Sequence, residues 1–447
     1  MSDTIAAIAT APGRGSVGIV RFSGPACTTI ASQFLGYCPP ARRADYRTFR
    51  DPQGNAIDQG LALFFATPHS FTGEDVLELQ AHGGPMVLDQ LLKLGLSYGA
   101  RPARPGEFSE RAFLNGKIDL AQSEAIADLI NASSEQAAKA AVRSLQGAFS
   151  EKINELLSQL IELRVYIESA IDFVDEEIDF LAEGRVTEKT ARIIQQIDDV
   201  LSAAQQGNLL RDGMTLVIAG EPNVGKSSLL NRLSGQASAI VSDIAGTTRD
   251  IIREHIHIDG MPLHIIDTAG IHESNNPIEQ EGIKRALQAI ENADRVLLIV
   301  DDSQHQSELP NHLLSRVPSH IPRTVIRNKC DLSGLQPQLI DADGTTQVLI
   351  SAKHNQGIEL LRTHLKTIMS YESSNEGTFS ARRRHLDALH KARQACEQGL
   401  QQLQLNGASE LLAEELRLAQ NALSEITGEY TTEDLLGAIF STFCIGK

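Results

Sequence analysis

The sequence is short of several things at once, and each shortage closes off a class of protein. It has no tryptophan, and aromatic residues make up 4% of its 447 positions. Broad base-stacking platforms for single-stranded nucleic acid need more than that. Cysteine is scarce: Cys27, Cys38, Cys330, Cys396 and Cys444 stand apart, with no C-x-x-C pair and no histidine at metal-ligand spacing. That scatter suggests neither a disulfide framework nor a zinc site, and reduced thiols in the cytoplasm are the expectation. Positive charge is short too, Lys+Arg 40 against Asp+Glu 57, for a formal net charge of -17. Bulk charge therefore cannot coat a nucleic acid, although local basic patches stay open because phosphate binding depends on where the charge sits. No apolar run approaches the ~20 residues needed to span a bilayer. The opening MSDTIAAIATAPGRG carries Asp3 and no early Lys or Arg, so it does not read as a signal peptide.

What is present is a chain able to build large cores, with 42% hydrophobic and 22% charged residues. Its length suggests roughly three domains. Residues 1–119 mix β-like runs (VGIVRF, LALFFAT, VLELQAHG) with Pro and Gly clusters, which predicts an α+β domain. From 120 to 212 the texture is helical. Leu145, Phe149, Ile153, Leu156, Leu160, Leu163, Ile167, Ile171 and Val174 recur at steps of three and four along one face. From 213 to 370 short apolar strands (TLVIAG, LHIIDTAG, RVLLIVDD, TVIRNKCD, TQVLISAK) alternate with helices, the pattern of a parallel sheet covered on both faces. Helical periodicity returns over 371–447, with Leu386, Leu389, Cys396, Leu400 and Leu403 as one stripe. The economical arrangement is one discontinuous helical domain, 120–212 with 371–447, into which the α/β domain is inserted.

The strongest chemical signal is TLVIAGEPNVGKSS, a strand running into Gly220-Glu221-Pro222-Asn223-Val224-Gly225-Lys226-Ser227. This matches the phosphate loop G-x-x-x-x-G-K-S, followed by Ser228 and the helix start SLLNRL. Its backbone N–H groups wrap a β-phosphate and the next helix presents its positive end. Lys226 is expected on the β- and γ-phosphates and Ser227 on Mg²⁺. Asp267-Thr268-Ala269-Gly270 closes a later strand as a D-x-x-G element that can sense a γ-phosphate. Asn328-Lys329-Cys330-Asp331 follows another; the Asp331 carboxylate can accept from guanine N1 and N2, a donor pair adenine lacks. Ser351-Ala352-Lys353 would brace the base. Four elements in order at strand ends predict GTP with Mg²⁺. In the loop Ala245-Gly246-Thr247-Thr248-Arg249-Asp250, Thr248 is the expected second Mg²⁺ ligand, chosen over Thr247.

The hydrolytic apparatus departs from the Ras pattern, where a glutamine after the D-x-x-G glycine orients water. Ile271 stands there, followed by His272. Asn223 either offers a neutral oxygen to a monovalent cation held against the phosphates, or only braces the loop; Arg249 as a finger in cis is the rival.

These motifs, with TIAAIATAPGRGSVGIVRFSG, SFTGEDVLELQAHGGP, RPGEFSERAFLNGKIDLAQSEAIADLI, AGTTRD and the terminal FCIGK, resemble the MnmE (TrmE) family of tRNA-modification GTPases over essentially the whole chain. The resemblance implies an N-terminal domain that dimerises and binds 5-formyl- or methylene-tetrahydrofolate, a discontinuous helical domain and an inserted Ras-like P-loop G domain. It implies a homodimer that, with the flavoprotein MnmG in a heterotetramer, installs a (carboxymethyl)aminomethyl group at C5 of the tRNA wobble uridine. FAD and NADH enter only through MnmG. Potassium-dependent pairing of G domains drives hydrolysis, with K⁺ held by Asn223, Ser242, Ile244 and Thr247. The nucleotide is lined by Ser242, Asp243, Ile244, Ala245, Gly246, Thr247 and Thr248. Glu279 matches a carboxylate that positions water through a second water; Arg21, Glu78, Lys117 and Lys447 match folate contacts; Cys444 matches a cysteine of the modification step. His272 differs from the basic residue expected there. The alternative class is a regulatory RNA-binding switch in ribosome assembly, but the basic stretches RRADYRTFR and RRRH are modest. A third is a folate-dependent transferase with a passenger GTPase.

Overall fold

A computed structural model describes residues 3–172, 185–234, 253–258, 261–267, 290–291, 293–304, 318, 321–342, 345–368, 378–429 and 433–446. The chain forms two interleaved units. One comprises Met1–Ala127, Leu145–Ile193 and Gln394–Lys447; the other comprises Asp128–Ser144 and Ile194–Arg393.

The first unit is built on a six-stranded sheet of β1 (Thr4–Ile8), β2 (Gly15–Ser23), β3 (Asp45–Arg50), β4 (Ala56–Phe65), β5 (Val76–Gly83) and β6 (Ala100–Pro102). Their spatial order is β3-β4-β5-β2-β1-β6. All neighbours are antiparallel except β1 and β6. The three β-like runs read from the sequence lie in β2, β4 and β5. Alternation turns Val20 and Phe22 of β2 and Leu77, Leu79 and Ala81 of β5 into one core. Helices Cys27–Leu35 and Pro85–Ser97 cover that face through Ile30, Phe34, Leu88 and Leu91.

An ionic network centred on buried Arg111 and Glu107 ties the approaches to β1 and β5 to β6 and a helix. Arg111, on helix Glu107–Leu114, is fully buried. It donates to Asp3 at 2.8 Å, to Glu74 at 3.0 Å and to Glu107 at 3.4 Å. Arg101, from β6, donates to Asp3 at 2.6 Å and to Glu107 at 2.9 Å. Charges this deep persist only when paired.

Helix Ala148–Asp172 buries Phe149, Ile153, Leu156, Leu160, Leu163 and Ile167 and packs on helix Ser409–Thr427. The apolar series read from the sequence is interrupted at its start. Leu145 ends the preceding helix, Glu135–Leu145, and Gly147 at φ 98 breaks the path because the left-handed region admits glycine readily. Val174 lies outside the described residues. In the later stripe Leu389 and Cys396 are buried, while Leu386, Leu400 and Leu403 are half-buried.

The second unit holds a seven-stranded sheet of β7 (Met214–Gly220), β8 (Arg253–Ile258), β9 (Met261–Asp267), β10 (Arg295–Asp301), β11 (Arg323–Asn328), β12 (Leu339–Ala342) and β13 (Thr345–Ile350). The order is β12-β13-β11-β10-β7-β9-β8, with only β8 and β12 antiparallel to their neighbours. Leu216, Ile218, Leu297 and Ile299 enter one core; Val217, Ala219, Val296 and Leu298 enter another on the opposite face. Burial on both faces is why these strands read as unbroken apolar runs. The order reverses at β7, so its carboxyl end is the topological switch point where such sheets take ligands.

The ionic network yields an acid-stability prediction. Burial pushes the Glu107 carboxyl up, but hydrogen bonds from Arg101 and the Arg104 backbone outweigh it and hold it below its ordinary 4.5. A hydrogen bond from Arg101, foremost, holds Asp3 below 3.8. Depressed folded values stabilise the fold above the ordinary carboxylate values, and that contribution disappears as pH falls through the folded ones. Thermal unfolding followed from about pH 6 downward should therefore lose stability as these groups protonate, and Glu107→Gln should weaken the dependence.

Candidate functional site

β7 delivers the chain to Gly220, and helix Lys226–Ser234 begins after a five-residue loop that doubles back between them. The reversal uses positive φ at Asn223 (64°) and Gly225 (99°). Gly225 also has no room for a side chain: a Cβ there would lie 2.2 Å from Nδ2 of Asn328. The Lys226 ammonium folds over the loop and donates to the carbonyls of Gly220 at 2.8 Å and Glu221 at 3.0 Å. Ser227 and Ser228 stand on the helix's first turn, where backbone N–H groups lack intrahelical acceptors and favour anions; both are exposed.

Parallel register brings the other motifs to the same sheet edge. Asp267 ends β9 and pairs with Ile218; Asn328 ends β11 and pairs with Asp301 and Ile350, so Ser351 follows immediately. Asn328 is 3% exposed. Its Nδ2 donates to the Val224 carbonyl at 2.8 Å, and its Oδ1 accepts from the Ala352 N–H at 2.9 Å. Lys329, at φ 67°, pairs with Asp301 at 2.6 Å. Burial pushes the Asp301 carboxyl up, yet hydrogen bonds from Lys329 and Ser303 keep it below the ordinary range. Asp331 is likewise held low, chiefly by a hydrogen bond from Ser351. An ionised Asp331 is the acceptor that a guanine N1/N2 edge requires. Nearby, Asp302 accepts from Arg327 at 2.6 Å and also from Ser333, bracing the short helix Cys330–Ser333.

These loops enclose a cavity of about 510 Å³. Asn223, Gly225, Ser228, Asn328, Lys329, Asp331, Ser351, Ala352 and Lys353, all named in the sequence analysis, line it. Val224, Lys226 and Ser227 belong to the same loop and helix start without lining that cavity. Three lining residues escape the sequence reading: Asn231, Arg232 and Leu332. Arg232 donates to the carbonyls of Ala352 at 2.9 Å and Lys353 at 2.8 Å. Helical spacing could have found Asn231 and Arg232, which stand four residues beyond Ser227 and Ser228 and so share their face. Ser242, Asp243, Ile244, Ala245, Gly246, Thr247, Thr248, Arg249, Thr268, Ala269, Gly270, Ile271, His272, Glu279 and Lys447 lie outside the described residues, so the structure does not place them.

A second cluster forms in the first unit. Arg21 and Glu78 are cross-strand partners on β2 and β5, joined at 2.8 Å, and Arg21 also reaches the Gly446 carbonyl at 3.4 Å. The Arg21 guanidinium lies 5.7 Å from the Phe108 ring centroid. Ile445 bridges to Pro105, and the Gly106 N–H donates to the Cys444 carbonyl at 3.4 Å. Arg21, Glu78 and the segment carrying Cys444 thus meet, with Cys444 itself exposed. Lys117 points elsewhere, donating to the Pro68 carbonyl at 2.9 Å.

Comparison with known proteins identifies the family. Residues 4–117 match the family model described as GTP-binding protein TrmE N-terminus, and residues 120–444 match the MnmE helical domain. The tRNA modification GTPase MnmE of Pasteurella multocida is 59% identical, covering 100% of each chain. Those of Hydrogenovibrio crunogenus and Proteus mirabilis are also 59% identical, covering 100% of this chain and 99% of theirs. Among solved structures, a variant of Aquifex aeolicus Era bound to GDP and aluminium fluoride is 26% identical over 41% of this chain and 66% of its own, at a TM-score of 0.28. With both family models matched and relatives 59% identical over its whole length, the chain belongs to the MnmE family of tRNA modification GTPases.

Proposed function

We propose that this GTPase reads guanine through Asp331, is activated by potassium, and acts on the wobble uridine of tRNA. The observation that carries the reading is the juxtaposition of the ionised Asp331 carboxylate with the phosphate loop around one cavity, locked by Asn328. The chemistry of the loop fits a hard cation: Ser227 is a hydroxyl on the first helical turn beside Lys226. Mg²⁺ would be held there by Ser227 and Thr248 and offsets phosphate charge when bound. Asn223, exposed and held at φ 64°, offers a neutral oxygen to K⁺, with Ser242, Ile244 and Thr247 as the other proposed ligands. Glu279 would position the attacking water, doing what Ile271 cannot.

In the N-terminal cluster, Glu78 suits the amidine-like edge of a pterin, and Arg21 and Lys447 suit a folate carboxylate. Lys117 is assigned to the same folate by the resemblance, and Cys444 to the modification step. A homodimer bringing two G domains together, a heterotetramer with MnmG and a cytoplasmic location complete the proposal. No described helix is long and apolar enough to cross a membrane.

Three measurements test this. Asp331→Asn should weaken GTP binding about 10²-fold, the scale of losing hydrogen bonds to a charged acceptor, and should improve binding of xanthosine triphosphate, whose C2 carbonyl accepts from an amide; unchanged GTP affinity would refute the guanine reading. GTP turnover should be faster in KCl than in NaCl at equal ionic strength, and Asn223→Ala should remove most of that difference, on the order of 10²-fold for one lost electrostatic stabiliser. Nucleoside analysis of tRNA from a strain lacking the chain should show altered wobble uridines; unaltered ones would sink the tRNA reading.

A further inference from the structure

Asp128 stands where three segments of the second unit meet. Its carboxylate is 7% exposed. Oδ1 accepts from Arg211 Nε at 2.9 Å and from Arg382 Nη2 at 2.7 Å. Oδ2 accepts from the Ser380 hydroxyl at 2.7 Å. Arg211 is the penultimate residue of helix Val186–Asp212, from which the chain passes into β7. Ser380 and Arg382 lie on the segment by which the chain returns from the sheet, just ahead of helix Arg383–Asn406. One carboxylate therefore holds both connections of the nucleotide-binding sheet.

The returning segment is fastened at Thr378 through Ser380. Ser380 N–H donates to the Ala140 carbonyl at 3.2 Å, Arg143 to the Thr378 carbonyl at 3.3 Å, and the Ser144 hydroxyl to the Ser380 carbonyl at 2.9 Å. At Gly207 it presses so close that a Cβ would sit 1.8 Å from the Phe379 carbonyl oxygen. A domain meant to swing freely is joined by slack Gly/Ser-rich chain. Here two arginines from opposite connections share one carboxylate oxygen, and removing that charge would cut the link between the connections even though Arg211 keeps Asp212 at 2.8 Å.

We infer that Asp128 is a positioning residue that makes the two connections act as one stiff joint, so that changes in the nucleotide-bound sheet reach the remainder of the chain. The inference rests on the reading of the chain as a GTPase in tRNA modification. Asp128 does not line the nucleotide cavity, so its loss should separate hydrolysis from modification.

The test uses the full-length protein carrying Asp128→Asn. Amide hydrogen exchange over 208–213 and 378–382 should quicken at least about tenfold, as expected when a local lock is released. GTP turnover should stay within about twofold, since the site's own contacts are intact. The modified-nucleoside content of tRNA should fall severalfold in cells whose only copy is the variant, and Asp128→Glu should restore part of it. Arg382→Gln, which leaves Asp128 paired to Arg211, replaces Asp128→Asn if that variant does not accumulate as folded protein. Unchanged exchange, or full modification despite faster exchange, overturns the inference, as does GTP turnover that falls in step with modification. Should cells lacking the chain altogether retain normal tRNA, the tRNA reading itself fails.

Discussion

The nucleotide site depends on one carboxamide. Asn328 sits at the end of β11 with its amide donating into the phosphate loop and its carbonyl accepting from the loop that follows β13. Three loops from separate strands are held to each other through a side chain 3% exposed to solvent. An unmade hydrogen bond at such depth costs the desolvation of the orphaned group, so the loops move together or not at all. Gly225 is the complement of that constraint, since only a residue without a side chain lets the loop come this close. Arg232 then fixes the base-side loop from the helix that follows the phosphate loop, using two carbonyls that Asn328 leaves unengaged.

Charge is spent sparingly and at junctions. In a chain of net charge -17, paired arginines join separate stretches of backbone, from fully buried Arg111 to partly exposed Arg101. Arg111 and Arg101 gather Asp3, Glu74 and Glu107 from the approach to β1, the approach to β5 and a helix. Asp128 reverses the polarity, one acid gathering two bases. Burying such groups contributes little net stability, but a lone member left behind is costly, and this penalises alternative arrangements.

Much of the nucleotide site was legible because its chemistry is local. A phosphate loop and an N-K-x-D element each occupy a few consecutive residues, and strands buried on both faces announce themselves as apolar runs. The order of strands, by contrast, follows from long-range pairing that no window of sequence contains. β12 went unrecognised because LIDA is short and pairs only along one edge. Arg232 belongs to no motif: helical spacing from Ser228 puts it on the right face, but its bonds to the Ala352 and Lys353 carbonyls depend on a loop 120 residues away. The helical stripe was overextended at Leu145 since periodicity survives a break that Gly147 imposes on the backbone. Arg21 and Glu78 were named through family resemblance; their cross-strand pairing supplies a physical reason for meeting. Lys117, named the same way, is turned to the Pro68 carbonyl.

The bridge between Pro105 and Ile445 sets a timetable for biogenesis. A ribosome releases the strands of the first sheet early, yet the contacts of Gly446 with Arg21 and of Cys444 with Gly106 wait until Cys444 through Gly446 have emerged. Meanwhile the whole nucleotide-binding insertion has been synthesised and has had time to collapse. Vectorial synthesis thus finishes the strands of the first sheet long before the C-terminal contacts that join them, and a prematurely terminated product would lack the Pro105–Ile445 bridge.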